Sequence, residues 1–167
     1  MTLRQEWVQE FGEAYQQFGL PKLMGNVVGL LLSSSQPLSL DDITEELGVS
    51  KGPVSQVMGR LRDHRLVQRH NLPGNRKDFY LPDLDVFGRA FGNHQDLLRT
   101  NLTLAESFRE RLATTKEDEI VRPGKEKDLE AFKGRIDEMA QFYGLMMKHL
   151  DAFLAEWEDI RSLQQSA

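Results

Sequence analysis

Apolar residues recur along the first 18 positions at steps of four, four, three and four: Leu3, Trp7, Phe11, Ala14 and Phe18. That spacing predicts a helix with one apolar face, ended by Gly19. Pro21 suits the first turn of a second helix running to about Ser33, where its fixed φ is harmless. Gly25 and Gly29 lie one turn apart on this helix and would admit a neighbouring backbone, as tight packing inside a domain requires. The run "SSSQP" then breaks the chain.

A short helix is expected from Leu40 to Leu47, with Ser39 as its N-cap and Asp41 and Asp42 at its positive end. Gly48 is placed to stop it in the left-handed conformation. Ser50 is a second N-cap, and Val54, Val57, Met58 and Leu61 follow at i, i+3, i+4 and i+7. Two helices joined by a tight glycine-containing turn make a helix-turn-helix. After Arg65 the pattern turns extended: "LVQRHN" and "RKDFYL", separated by "LPGN", predict a β-hairpin that Phe79 and Tyr80 anchor to the core. Short helix, turn, capped helix and basic hairpin, in that order, specify a winged helix far better than any one of them does.

Beyond Pro82 the helical period returns. Phe87, Phe91, His94, Leu98, Asn101, Ala105, Phe108 and Leu112 alternate steps of four and three. So do Leu129, Phe132, Ile136, Met139, Tyr143, Met146, Leu150, Phe153, Trp157 and Ile160. Between them "TTKEDEIVRPGKEKD" is charged, with Pro123 and Gly124 at a turn. The expected fold is therefore mainly α. A winged helix-turn-helix domain with a small β-hairpin wing spans 19–83, and an N-terminal helix (1–18) and a C-terminal helical hairpin (84–167) form a dimerisation arm. One winged domain leaves too many of these apolar side chains uncovered, so a two-fold homodimer is expected, matching a palindromic operator. Asn101, polar within the seam, either fixes register or meets solvent.

Charge sharpens this picture. The 167-residue chain has a formal net charge of -5, yet Gly48 to Pro82 holds seven Lys or Arg against Asp63 and Asp78. A basic island of +5 therefore sits in a remainder of -10, which points to a polyanion as partner. There is no cysteine, so a disulfide framework and a thiolate metal site are both excluded. The longest apolar run, Val27 to Leu32, is interrupted by Gly29 and too short to span a bilayer, and the first twenty residues lack the apolar core of a signal peptide. A cytoplasmic protein without a membrane partner is expected, nucleoid-associated when bound to DNA.

With Val54, Val57, Met58 and Leu61 facing the core, Lys51, Gly52, Ser55, Gln56 and Gly59 point outward at the end of the helix that meets base edges. Gly52 would let the helix start approach a duplex, and Gly59 would remove bulk from the same face. Gln56 and Ser55 carry donors and acceptors suited to bases, adenine being the usual partner of glutamine. The first-turn amides with Ser50 and Lys51 suit a phosphate. Arg60, Arg62 and Arg65 stand beside Arg69, and at least one is expected to meet phosphate. Asn75, Arg76 and Lys77 follow the turn at Pro73 and Gly74 as a basic wing tip. The candidate DNA-binding residues are thus Ser39, Ser50, Lys51, Gly52, Ser55, Gln56, Arg60, Arg62, Asn75, Arg76 and Lys77; the alternative is an ordinary solvated polar face. The four histidines are dispersed and no phosphate-binding glycine loop appears, so no catalytic site, metal or cofactor is expected.

Residues 19–83 resemble the GbsR branch of the MarR superfamily, the glycine betaine synthesis repressor-like winged-helix regulators. The matching pieces are "GLP", "LLSSSQPLSLDDITEELGVSKG", "VSQVMGRL" and "PGNRKDFY". The resemblance implies a homodimeric bacterial transcription regulator, usually a repressor, dimerising through its terminal helices. In some members a small effector such as choline binds between the DNA-binding and dimerisation parts. An aromatic cage for such a quaternary ammonium would need several rings around one cation. Trp7, Phe11, Tyr15, Phe87 and Phe91 are the candidates, although aromatic stripes at helical spacing more often belong to a core. The wing has "GNRKD" where MarR proteins proper commonly carry Asp-x-Arg, so wing contacts do not transfer by position. A winged helix that has lost DNA and binds a partner helix through its heptad arm is the alternative function.

Overall fold

Ser39 turns the chain into its first short helix through a reciprocal cap. Its hydroxyl oxygen accepts the Asp42 N–H at 3.2 Å, and the Asp42 carboxylate accepts the Ser39 N–H at 2.8 Å and the Ser39 hydroxyl at 2.7 Å. The computed structural model describes residues 1–165. The element order is α1 (Leu3–Gln17), α2 (Lys22–Leu32), β1 (Leu38–Ser39), α3 (Leu40–Leu47), α4 (Lys51–Asp63), β2 (Val67–Asn71), β3 (Asp78–Pro82), α5 (Val86–Thr114), α6 (Glu117–Ile120) and α7 (Glu126–Gln165). The chain divides into two compact units, Met1–Ala90 and the residues from Phe91 onward, with the division inside α5.

In the first unit α1 lies against α2 at unusually short range. A Cβ on Gly25 would stand 2.7 Å from the Phe11 carbonyl oxygen and 2.8 Å from the Gly12 Cα, and one on Gly29 would stand 3.0 Å from the Phe11 Cβ. Gly25 and Gly29 thus admit a backbone, as their spacing suggests, and Gly12 meets them from the other side. This close approach sets which face of α1 is inside. Val8 and Gly12 are buried, with Phe11 and Tyr15 packed against the core. The expected stripe is corrected accordingly: Leu3 and Phe18 are more than 80 % exposed and Ala14 is on the surface. Small size, not apolarity, selects the contact line.

Val27, Val28, Leu30, Leu31, Ile43, Val54, Met58, Leu61 and Tyr80 fill the centre of this unit. Val54, Val57, Met58 and Leu61 are all buried, as the i, i+3, i+4, i+7 pattern requires. The extended segments form a three-stranded antiparallel sheet of order β1-β3-β2, not a lone hairpin. Leu38 faces Tyr80, and Val67 through Asn71 run against Pro82 through Asp78. β1 is two residues long and gives no sequence signal of its own. It seats the hairpin beside the start of α3.

The base of the hairpin is fixed by Asp83, only 7 % exposed. Its carboxylate accepts Gln68 Nε2 at 2.9 Å, the Asp85 N–H at 2.9 Å and Arg89 Nε at 2.7 Å. Its own N–H donates to the Leu66 carbonyl at 2.9 Å. Strand β2, the loop after β3 and the first turn of α5 are thereby held by one side chain.

In the second unit, α5 from Phe91 and α7 pair antiparallel: the rings of Phe91 and Phe153 lie 5.5 Å apart, and those of Phe108 and Phe132 lie 6.5 Å apart. Gln95 Nε2 donates to Asp151 along the same seam. Gly124, with φ of 83°, makes the expected turn, and the short α6 precedes it, which the charged linker did not suggest. The heptad stripe on α7 is only partly inside. Leu129, Ala140, Met147 and Leu150 are the buried positions, while Met146, Phe153 and Ile160 are exposed. A strict seven-residue repeat drifts by roughly 20° per heptad on a straight helix, so over forty residues the stripe leaves the facing helix.

Candidate nucleic-acid interface

Two elements of the first unit build one exposed cationic surface, the outer face of α4 and the loop between β2 and β3, and the first turn of α3 sets Asp41 between their lysines. On α4, Lys51, Gly52, Ser55, Gln56, Arg60 and Arg62 are exposed opposite the buried residues. A Cβ on Gly52 or on Gly59 would meet no atom within 4 Å. Neither glycine is therefore required by packing within the chain, although each costs the helix roughly 0.5–1 kcal/mol relative to alanine. Gly25 and Gly29 are glycines for internal reasons. Gly52 and Gly59 are not.

Ser50 occupies the N-cap position of α4, but its side chain makes no capping hydrogen bond. The expectation of a side-chain cap is corrected here. The third helical residue is Pro53, which has no N–H to offer the serine oxygen, whereas Ser39 finds the N–H of Asp42 at the same offset. The hydroxyl of Ser50 stays exposed beside the open end of the helix. Ser39 goes the other way: it is 2 % exposed, and its hydroxyl is committed to Asp42. It belongs to the cap of α3 and is withdrawn from the candidate surface.

The loop between β2 and β3 carries Asn75, Arg76 and Lys77, all exposed. Gly74 has φ of 78°, and the Asn75 side-chain oxygen accepts the Lys77 N–H at 3.0 Å, so Asn75 builds the turn that presents its neighbours. Lys77 reaches Asp41 Oδ2 at 2.7 Å, and Lys51 reaches Asp41 Oδ1 at 2.8 Å. Hydrogen bonds and charge from Lys51 and Lys77 hold the Asp41 carboxyl down at about 2. Contact with Asp41 raises the Lys77 ammonium. At the back of the hairpin Arg69 pairs with Asp78 across the strands. Arg60, Arg62, Arg65 and Arg76 have no ion-pair partner among the described residues.

The end of α4 holds a feature that sequence reasoning missed. The Leu66 N–H donates to the Leu61 carbonyl at 2.8 Å and the Arg65 N–H to the Arg62 carbonyl at 2.9 Å, which is the Schellman arrangement. The residue at its left-handed position is Arg65, with φ of 56°. Gly48 takes the equivalent place after α3, with φ of 64°. Glycine is the usual occupant, and an arginine there costs about 1 kcal/mol.

The aromatic candidates are distributed differently. Trp7, Phe11 and Tyr15 form a row along α1, with ring centroids 5.0 and 5.3 Å apart, and Trp7 Nε1 donates to the Gly29 carbonyl at 2.9 Å. These rings pack α1 on α2. Phe87 is exposed on the first unit, and Phe91 pairs with Phe153 in the second. Among the described residues no cluster of His, Cys, Asp or Glu is placed to hold a metal ion, and no helix is long and apolar enough to cross a membrane.

No family model matches the chain. Two Bacillus subtilis (strain 168) proteins are similar along most of its length. The HTH-type protein YvaV is 23% identical over 158 residues, covering 92% of this chain and 88% of that protein. The HTH-type transcriptional repressor OpcR is 22% identical over 153 residues, covering 89% of this chain and 83% of that protein. A crystal structure of a transcriptional regulator superposes with a TM-score of 0.72 at 17% identity, covering 93% of this chain and 98% of that one. The likeness to that structure is one of fold: mainly helical, with a winged helix-turn-helix and a small antiparallel sheet.

Proposed function

We propose that the chain is a bacterial DNA-binding transcriptional regulator of the MarR type, of the GbsR-like branch, acting as a homodimer on a two-fold operator and usually repressing. The observation that carries this reading is the outer face of α4. Two glycines that satisfy nothing inside the chain lie on it, with Ser55 and Gln56 between them, Lys51 and Arg60 at its ends and the Arg76 and Lys77 loop alongside. A helix pays for such glycines when an outside surface must come close, and this surface is cationic in an otherwise acidic protein. The whole-length likeness to OpcR supports repression as the direction of control.

In this reading α4 enters the major groove. Gln56 and Ser55 meet base edges, and Lys51, the Ser50 hydroxyl and the first-turn amides hold a phosphate. Arg60, Arg62, Arg76 and Lys77 track the backbone, while the wing tip lies along the strand or in the minor groove. The helix of residues 1–18 and the region from residue 84 onward form the dimer contact.

Selection of genomic fragments with the purified protein, followed by binding measurements on the recovered fragment and on random duplex, tests the reading. Arg76→Ala should weaken binding about uniformly and reduce the salt slope by about one, whereas Gln56→Ala should change sequence preference. Absent or salt-insensitive duplex binding would hand the fold to the protein-interaction reading instead.

A further inference from the structure

Among the described residues Asp41 is the acidic side chain that pairs with both lysines of the proposed DNA-binding surface. It sits in the first turn of α3, yet it makes no cap: that task belongs to Asp42. Its two oxygens are divided instead, Oδ1 to Lys51 at the start of α4 at 2.8 Å and Oδ2 to Lys77 in the wing at 2.7 Å. All three side chains are about half exposed, so the arrangement is open to exchange with an outside anion. A carboxylate and a phosphodiester have the same recognition chemistry, one negative charge shared by two oxygens, each able to accept from an ammonium. Lys51 and Lys77 come from separate elements, and among the described residues Asp41 is the anion that joins their ammonium groups.

We propose that Asp41 is a built-in competitor for DNA: in the free protein its carboxylate holds the place that one backbone phosphate of the operator takes between Lys51 and Lys77. The inference rests on the DNA-binding reading above and deepens it. Where a duplex docks in register, the phosphate replaces Asp41 on the two ammonium groups, and the carboxylate gives up both pairs. Where the register is wrong, no phosphate reaches both lysines, Asp41 keeps them, and its charge repels the nearby backbone. The same residue keeps α4 and the wing together before DNA arrives, so the two lysines do not push each other apart. Because the carboxyl is held at about 2, it remains charged throughout the physiological range.

The test compares Asp41→Asn with the wild type in two backgrounds, native and Lys51→Gln/Lys77→Gln, on a random-sequence duplex and on a fragment recovered by selection. In the native background the selected fragment should bind about fivefold more tightly, the effect of one like charge removed at close range in water, and the random duplex, which leaves Asp41 in place, should tighten less. In the double-glutamine background the difference between the two duplexes should vanish. Equal tightening on both duplexes, no change on either, weaker binding, or a difference between the duplexes that survives without the lysines would each overturn the proposal. Wild-type protein that binds neither duplex would instead overturn the DNA-binding reading on which it rests. Thermal melts accompany each variant, and Asp41→Ser replaces Asp41→Asn if the amide lowers the melting temperature.

Discussion

Asp83 illustrates how much of this fold depends on single side chains. Burial pushes its carboxyl up, and hydrogen bonds from Gln68, the Asp85 amide and Arg89 outweigh that, leaving it lowered. A carboxylate lowered in the folded state contributes stability that is present above its unfolded value of about 3.9 and is lost as pH falls through the lower folded value. Asp83→Asn should therefore cost roughly 2 kcal/mol at neutral pH, and its stability should fall less steeply than the wild type's below about pH 4. Denaturant midpoints across that range check both points, and parallel curves for the two proteins would count against the carboxylate's role. Residue roles were legible where they are local. Ser39 and Gly48 do what their neighbours dictate. The expected Ser50 cap fails for a reason just as local, Pro53 three residues on, which the pattern of caps alone does not reveal. Asp83 was not legible, because its partners lie 15 residues back and 6 ahead in the chain.

At the scale of elements, helix ends were easier to read than helix faces. Both helices of the helix-turn-helix start and stop where caps and glycine geometry place them. Arg65 is the exception, an arginine in a left-handed position. Arg65→Gly should raise folding stability by about 1 kcal/mol, since it relieves the left-handed cost while keeping both hydrogen bonds of the helix end. An unchanged or lower denaturation midpoint would show that the arginine side chain stabilises the fold in a way its exposed position does not reveal. Faces were misread where a partner chose them. On α1 the contact follows Gly12 and Val8, because Gly25 lets the backbones close. On α7 the seven-residue stripe drifts away from α5. β1, two residues long, has no pattern to read.

For the whole molecule, α7 leaves Phe142, Met146, Phe153, Ile160 and Leu163 exposed in steps of four, seven, seven and three, with Leu145 beside them. On the proposed dimer a second copy covers this stripe. The pair Phe142→Gln/Leu145→Glu should then sediment as a monomer, and binding to a two-fold operator should weaken by roughly a hundredfold or more, since each half-site is met alone. A variant that remains a dimer would move the contact elsewhere. The winged-helix order was legible in the sequence because each part carries its own signal, whereas the surface that a second copy covers depends on which apolar residues the first copy fails to bury.

The central claim is that α4 is shaped for a surface outside the chain, and one paired measurement addresses it: the stability and the duplex affinity of Gly52→Ala/Gly59→Ala beside the wild type. Alanine meets no atom at either position, so stability should rise by about 1–2 kcal/mol. The added methyl groups should simultaneously weaken binding to the selected duplex. A variant that is more stable and binds as tightly as the wild type would contradict the account.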